Sequence, residues 1–298
     1  MSSKKTAVIA YLFQTRLLPD GSFDASRSVV TLAEVSDAIT VVHTAAIAAG
    51  DTRQSLSNNN PANFWKDFIR NLDSARRNWP ATVLAAGYAA TSAKGVLNGC
   101  FEFVPHGPTD PLFPSDYTIT PELRAAALMV QSLSLTEMFR DLPSGGENRV
   151  VSVMARLNVL EHHFAGTRAP DAPVVATLEF LQNSVKLQPG EVDALWSAKV
   201  KNDAGDAEVW LVGGEVKTGR DDILDEQVLD WTRALLSSSR FRERARGVIP
   251  VAVKAFDGSE LLVVEYAAVS MATPPDDLKA VTPVCQRLII LRPPVEGL

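Results

Sequence analysis

Two cysteines, Cys100 and Cys285, are all that 298 residues contain, which excludes a disulfide framework and leaves a cysteine-based zinc site short of ligands. Positive charge is scarce as well: 29 Lys and Arg stand against 35 Asp and Glu, a net charge of -6. A chain with that balance does not coat nucleic acid wholesale, so any contact with DNA has to come from local basic patches. No apolar run reaches the length of a membrane span. The opening MSSKKTAVIAYLFQTRL has a basic start and a short apolar stretch, but Gln14 and Arg16 interrupt it and no small-residue cleavage site follows. Internal repeats and low-complexity tracts are missing too. The expectation is a soluble, cytoplasmic protein with reduced thiols. With 46% hydrophobic residues it can bury a proper core, and its length suits one large or two ordinary domains.

The most informative stretch is residues 185–236. Residues 191–200 and 208–218 read as strands joined by the turn-rich segment 202–206, and a helix follows from Asp222. The first strand carries Asp193 and the second carries Glu215-Val216-Lys217. Residues two apart on a strand share a face, so Glu215 and Lys217 point together, and antiparallel pairing brings Asp193 beside them. Two carboxylates and an ammonium suit Mg²⁺ held against a phosphate, because Mg²⁺ takes a few hard oxygens plus water.

An acid-x-Lys triplet alone is weak: Asp277-Leu278-Lys279 fits it too, but follows Pro274-Pro275 in a polar segment with no acidic strand before it. The plain alternative for Asp193, Glu215 and Lys217 is an exposed cross-strand ion pair of little energetic weight. The flanks argue otherwise. Ala194-Leu195-Trp196 and residues 209–212 are nearly continuously apolar, as in a strand covered on both faces, where charges are costly unless paired or metal-bound. Gly213-Gly214 removes side chains where a backbone or ligand can approach.

This arrangement resembles the PD-(D/E)xK nuclease superfamily, and within it the type II restriction-endonuclease-like proteins. Asp193 matches the acidic position on one strand, with Val192 in place of the Pro, and Glu215-Val216-Lys217 matches the E-x-K of the next. Gln227, on the following helix, resembles the Q-x-x-x-Y element of RecB-like members, with Trp231 where the Tyr stands. The likeness covers roughly residues 149–266, where VLEHHF, SVKL, EVDALW, GEVK, RDDILDEQ and VIPVAVKA fall in order. The resemblance implies an α/β (α+β) fold: a restriction-endonuclease-like core of a mixed β-sheet flanked by helices. It implies Mg²⁺, with Mn²⁺ as a substitute, held by Asp193, Glu215 and the carbonyl of Val216. Asp193, Glu215, Lys217, Gln227 and Glu161 are the candidate catalytic residues, and Glu191 shares the face of Asp193. The implied substrate is double-stranded DNA cut by a homodimer, with a cognate methyltransferase as a possible companion on the same DNA. Alternatives are a silent DNA-binding module with the nuclease fold, or a defence nuclease acting on RNA, single-stranded or branched DNA.

The breakers in DLPSGG suggest a boundary, giving a mainly helical DNA-recognition domain over 1–146 and a catalytic domain over 147–298. Residues 6–13 (TAVIAYLF) read as a buried strand, and Thr31 with Glu34 as a capping box opening a helix. In residues 55–79 the polar SNNN run can cap an amphipathic helix whose first turn is at Pro61 and whose apolar face is Phe64, Trp65, Phe68, Ile69 and Leu72. Asn59, Asn63, Lys66, Arg70, Arg76 and Arg77 lie there, and Arg240 and Arg242 lie in SRFRERARG. Each is either a DNA-backbone contact or a solvated polar or charged side chain. His106 and Asp110 sit in a Pro-rich loop that is either a DNA contact or a connector. Residues 120–133 and 148–164 suggest helices, and 288–291 a last edge strand. His162-His163 does not read as a structural zinc site, since adjacent helical residues face different ways and no companion ligand stands at a suitable spacing.

Overall fold

The TAVIAYLF run is a helix, not a strand. Helix α1 (Lys4–Gln14) buries Val8, Ile9, Leu12 and Phe13, a helical stripe. A short continuous apolar run does not distinguish a buried strand from a buried helix, and here the helical stripe won. The computed structural model describes the chain except residues 1–3, 51–55, 57–60, 94–97, 108–111, 113–116, 143–144, 167–171, 188–189, 202–204, 220 and 257–258, and the side chain of residue 62. It divides into two units, Met1–Asp116 and Tyr117–Leu298.

In the first unit α1 is followed by β1 (Val29–Thr31), α2 (Leu32–Ala48), α3 (Ala62–Ile69), α4 (Leu72–Asn78), α5 (Ala81–Ala85), β2 (Tyr88–Ser92) and β3 (Gly99–Pro105). The strands form an antiparallel sheet in the order β1-β3-β2. The expected capping box opens α2: Glu34 N–H donates to Thr31 Oγ1 at 3.3 Å, and Thr31 N–H donates to Glu34 Oε2 at 2.8 Å. Glu34 also takes the buried Arg16 guanidinium at 2.7 Å. The single helix expected from Pro61 onward is two, because Asn71 is extended and its side chain accepts from Ser74 N–H at 2.8 Å, capping α4. The core is aromatic: Trp65 stacks on Phe101, while Phe13, Phe23, Tyr88 and Phe103 pack together.

The second unit runs α6 (Pro121–Ala125), β4 (Leu128–Gln131), α7 (Glu137–Arg140), α8 (Glu147–Arg156), α9 (Val159–Ala165), β5 (Val174–Lys186), β6 (Glu191–Lys201) and β7 (Ala207–Thr218). It continues with α10 (Asp225–Ser237), α11 (Ser239–Arg242), β8 (Gly247–Phe256), β9 (Glu260–Tyr266), β10 (Val269–Ser270) and β11 (Pro283–Arg292). The fold is mixed α+β. Strand order is β4-β11-β9-β8-β7-β6-β5, with β10 beside β8. The β7–β8 and β4–β11 pairs are parallel and the others antiparallel.

Four expectations change here. The helix expected over 120–133 is α6 followed by β4, and β4 pairs with β11, so the chain from Tyr117 onward belongs to this sheet and the boundary expected after Gly146 falls inside the second unit. Residues 288–291 are not an edge, since β11 lies between β9 and β4. The helix expected over 148–164 breaks at Asn158, which adopts φ 51°, a left-handed conformation that Asn tolerates.

Alternation along the strands splits the core in two. Trp196, Val212, Val216, Ile249 and Val251 share one with α8 and α9; Leu195, Leu211, Ala252, Leu262 and Tyr266 share the other with α10 and α11. Helices therefore cover both faces of the central strands, and a charge there is enclosed from both sides.

Candidate functional site

The β6–β7 ladder ends with Ala194 opposite Gly214, so Asp193 and Glu215 come next in line at its end. Val216 N–H donates to Asp193 Oδ2 at 2.8 Å, which fastens the first strand's carboxylate to the backbone between Glu215 and Lys217. Val216 itself points into the core with Val150, Met154 and Trp196. Glu215 and Lys217, one residue to either side, are both buried, and Lys217 Nζ donates to Glu215 Oε1 at 2.5 Å. Glu147, the first residue of α8, puts Oε1 3.6 Å from the same ammonium.

Three carboxylates thus surround one ammonium. Burial, and then the Glu215 carboxylate, pushes the Asp193 carboxyl up to about 7, against the opposing pull of the Val216 N–H and Lys217. Burial pulls Lys217 down, but the carboxylates of Glu215, Asp193 and Glu147 outweigh it and hold the ammonium above its ordinary value. Beside the cluster is a cleft of about 240 Å³, lined by Gly146, Glu147, Ser184, Glu191 and Asp193 among others. Glu147, Glu191 and Asp193 facing this opening, with Glu215 behind them, can hold a hard cation and admit an anionic group.

No family model, no curated protein and no solved structure matches this chain.

Glu191 lines the cleft and pairs with Lys186, whose hydrogen bond holds it below the usual carboxylate range. Glu161 is half-buried on α9, where burial raises it, and none of the described interactions ties it to Asp193 or Glu215. Gln227 lies in the first turn of α10 with Oε1 buried and without a hydrogen-bond partner among the described residues. Asp221 and Asp222, just before α10, do not cap it: its N-cap is Leu224, and Asp222 accepts from Lys254 Nζ at 3.0 Å. Gly213 and Gly214 make room for protein rather than ligand, since a Cβ at Gly213 would lie 2.5 Å from the Trp231 ring and one at Gly214 3.1 Å from Trp196.

Of the basic residues singled out, Lys66, Arg70, Arg77, Arg240 and Arg242 are exposed, as is Asn63, while Asn59 and Asp110 lie outside the described residues. Arg76 is engaged inside its own unit, donating to Leu112 O at 2.7 Å and to Asp73 at 2.8 Å. Among the described residues no helix is long and apolar enough to cross a membrane.

Glu147 escaped notice because the helix was read from residue 148, one position too late. Lys254 is the lone charge in the buried strand β8, level with Lys217 in the parallel ladder, and that isolation was the signal to heed. Glu265 is equally enclosed in β9, and His163 Nε2 lies 2.9 Å from its Oε2.

Proposed function

We propose that this chain is a metal-dependent phosphodiesterase of the PD-(D/E)xK type that hydrolyses double-stranded DNA. The observation that carries the reading is the meeting of Asp193, Glu215 and Lys217 from two adjacent strands, with Glu147 beside them and a cleft alongside. The succession of helix, acid-bearing strand, E-x-K strand and helix, here α9, β6, β7 and α10 with β5 intervening, supports a restriction-endonuclease-like core.

A cluster with more carboxylates than cations, and only oxygen donors, fits Mg²⁺ or Mn²⁺. Asp193 and Glu215 would hold the ion together with the carbonyl of Val216, and Glu147 is a further carboxylate within reach of Lys217. A bound ion of this class neutralises phosphate charge and lowers the pKa of a bound water. The carboxylates around Lys217 hold its ammonium above its ordinary value in the metal-free chain, and from this place it would orient the attacking water and stabilise negative charge developing at phosphorus. The Val216 N–H keeps Asp193 from turning away from the cleft. The exposed Lys66, Arg70 and Arg77 of the first unit support a role for it in holding DNA, and cutting two strands calls for two copies of the chain.

Cleavage of a long phage DNA by the purified chain with Mg²⁺, beside Lys217→Ala, tests the reading. Discrete bands that weaken by about 10³-fold in the variant are expected. A smear lost in the variant would keep the chemistry and replace sequence-specific cutting with nonspecific cutting. Cutting retained in full by Lys217→Ala would overturn the site, and no cutting of DNA or RNA with any divalent metal would overturn the activity.

A further inference from the structure

We propose that His163, Glu265 and Cys285 form a metal site of their own, which takes a zinc-class divalent ion. Their ligand atoms, one nitrogen, one oxygen and one sulfur, all lie within 4.8 Å of one another. They come from three separate elements, α9, β9 and β11, which the sheet brings together across long stretches of chain. His163 and Glu265 are 0% and 1% exposed, and Cys285 is half-buried.

A hydrogen bond between His163 and Glu265 alone would need no thiol. The third donor is brought in by the backbone. Cys285 sits opposite Glu265 in the β9–β11 ladder, and the register shifts between Pro283 and Cys285. Residues directly opposite in an antiparallel pair share a face, so the Cys285 thiol stands beside the Glu265 carboxylate and within reach of the His163 imidazole. A mixed set of imidazole, carboxylate and thiolate selects zinc and its neighbours late in the first transition row, whereas Mg²⁺ and Ca²⁺ take oxygens. Three protein ligands leave a fourth position open, and the half-exposed Cys285 marks the side from which an ion reaches it. Such an ion would tie α9 to the ladder of β9 and β11. It does not depend on the nuclease reading, because none of the three residues belongs to the Asp193 cluster.

The chain has one other cysteine, the buried Cys100 of the first unit, which makes the thiolate traceable. The test strips the full chain with a chelator and titrates it with Co²⁺, reading the near-ultraviolet charge-transfer band that only a thiolate ligand gives. The expected result is a band that saturates with one ion per chain, is lost in Cys285→Ser and kept in Cys100→Ala, and is erased by Zn²⁺ but not by Mg²⁺. Competition against a chelating dye should show Zn²⁺ bound at least tenfold more weakly by Cys285→Ser. Absence of the band in the unaltered chain overturns the proposal whatever the variants do, and so does a band that Cys285→Ser retains.

Discussion

Two clusters of buried charge lie on neighbouring rows of the same sheet, and they meet the cost of burial in different ways. Glu265 pairs with Val251, which pairs with Gly214, the residue before Glu215. At the Glu215 end, the carboxylates of Asp193, Glu215 and Glu147 outnumber the single ammonium of Lys217, and part of the group opens on a cleft. At the Glu265 end one acid meets one imidazole at 2.9 Å, almost wholly enclosed. Taking charge out of water is tolerated when partners cancel it. One carboxylate with an imidazole and a thiol in reach carries little excess charge, whereas three carboxylates around one ammonium hold negative charge in reserve for something brought from outside. Imbalance, more than burial, therefore separates a site for a hard cation and its substrate from a site that holds the fold together.

The same chemical change should act in opposite directions at the two ends. In chelator, Glu265→Gln replaces the buried carboxylate that hydrogen-bonds His163 with an amide whose NH2 group lacks an evident partner there, and should cost about 2 kcal/mol of folding stability. Asp193→Asn should do the reverse above neutral pH, since the amide oxygen still accepts from Val216 N–H while one excess charge is gone. Because the Asp193 carboxyl is raised to about 7, the folded chain binds its proton more tightly than the unfolded chain does. Stability from that proton is complete below the ordinary carboxylate range and is lost as pH rises through about 7. Urea melts of both proteins across pH should therefore show the Asn variant ahead by a margin widest near about pH 8 and closing towards about pH 4. Asp193→Asn less stable than the unaltered chain at the alkaline end would erase the distinction between the clusters.

The candidate site was more legible than the fold around it. Asp193, Glu215 and Lys217 could be read because a strand's two-residue period fixes which side chains travel together, and a short turn makes the antiparallel pairing local. The His163 cluster could not be read, because its ligands are separated by strands whose order no local pattern reveals: β11 pairs with both β9 and β4. Long-range register also hid the boundary, since the pairing of β4 with β11 and the hydrogen bond from Tyr117 to Asp225 assign the segment after Tyr117 to the second unit. Short elements failed for a different reason. The TAVIAYLF helix and the break at Asn158 each turn on a local preference that tertiary packing decided. Gly213 and Gly214 were noticed for the right property, the lack of a side chain. The occupant of that space is Trp231 in one case and Trp196 in the other.

The smallest effect separates two glutamates on consecutive helices. Glu147 and Glu161 are both partly exposed carboxylates near the start of a helix, yet only Glu147 stands within 4 Å of Lys217, at 3.6 Å. If the excess of carboxylates around Lys217 is what draws a cation, removing Glu147 should weaken that draw while removing Glu161 should not. Glu147→Gln is expected to raise the Mg²⁺ concentration for half-maximal cleavage about tenfold, as loss of a supporting carboxylate does at metal sites generally. Glu161→Gln should leave that concentration within about twofold, the scale of a surface change distant from the chemistry. The readout is the concentration dependence, not the maximal rate, so a variant that merely loses some folded protein is not mistaken for one that binds the ion less well. Equal shifts in both variants, or a shift at Glu161 alone, would move the helix carboxylate to position 161 and leave Glu147 as a partner of Lys217 in stability only.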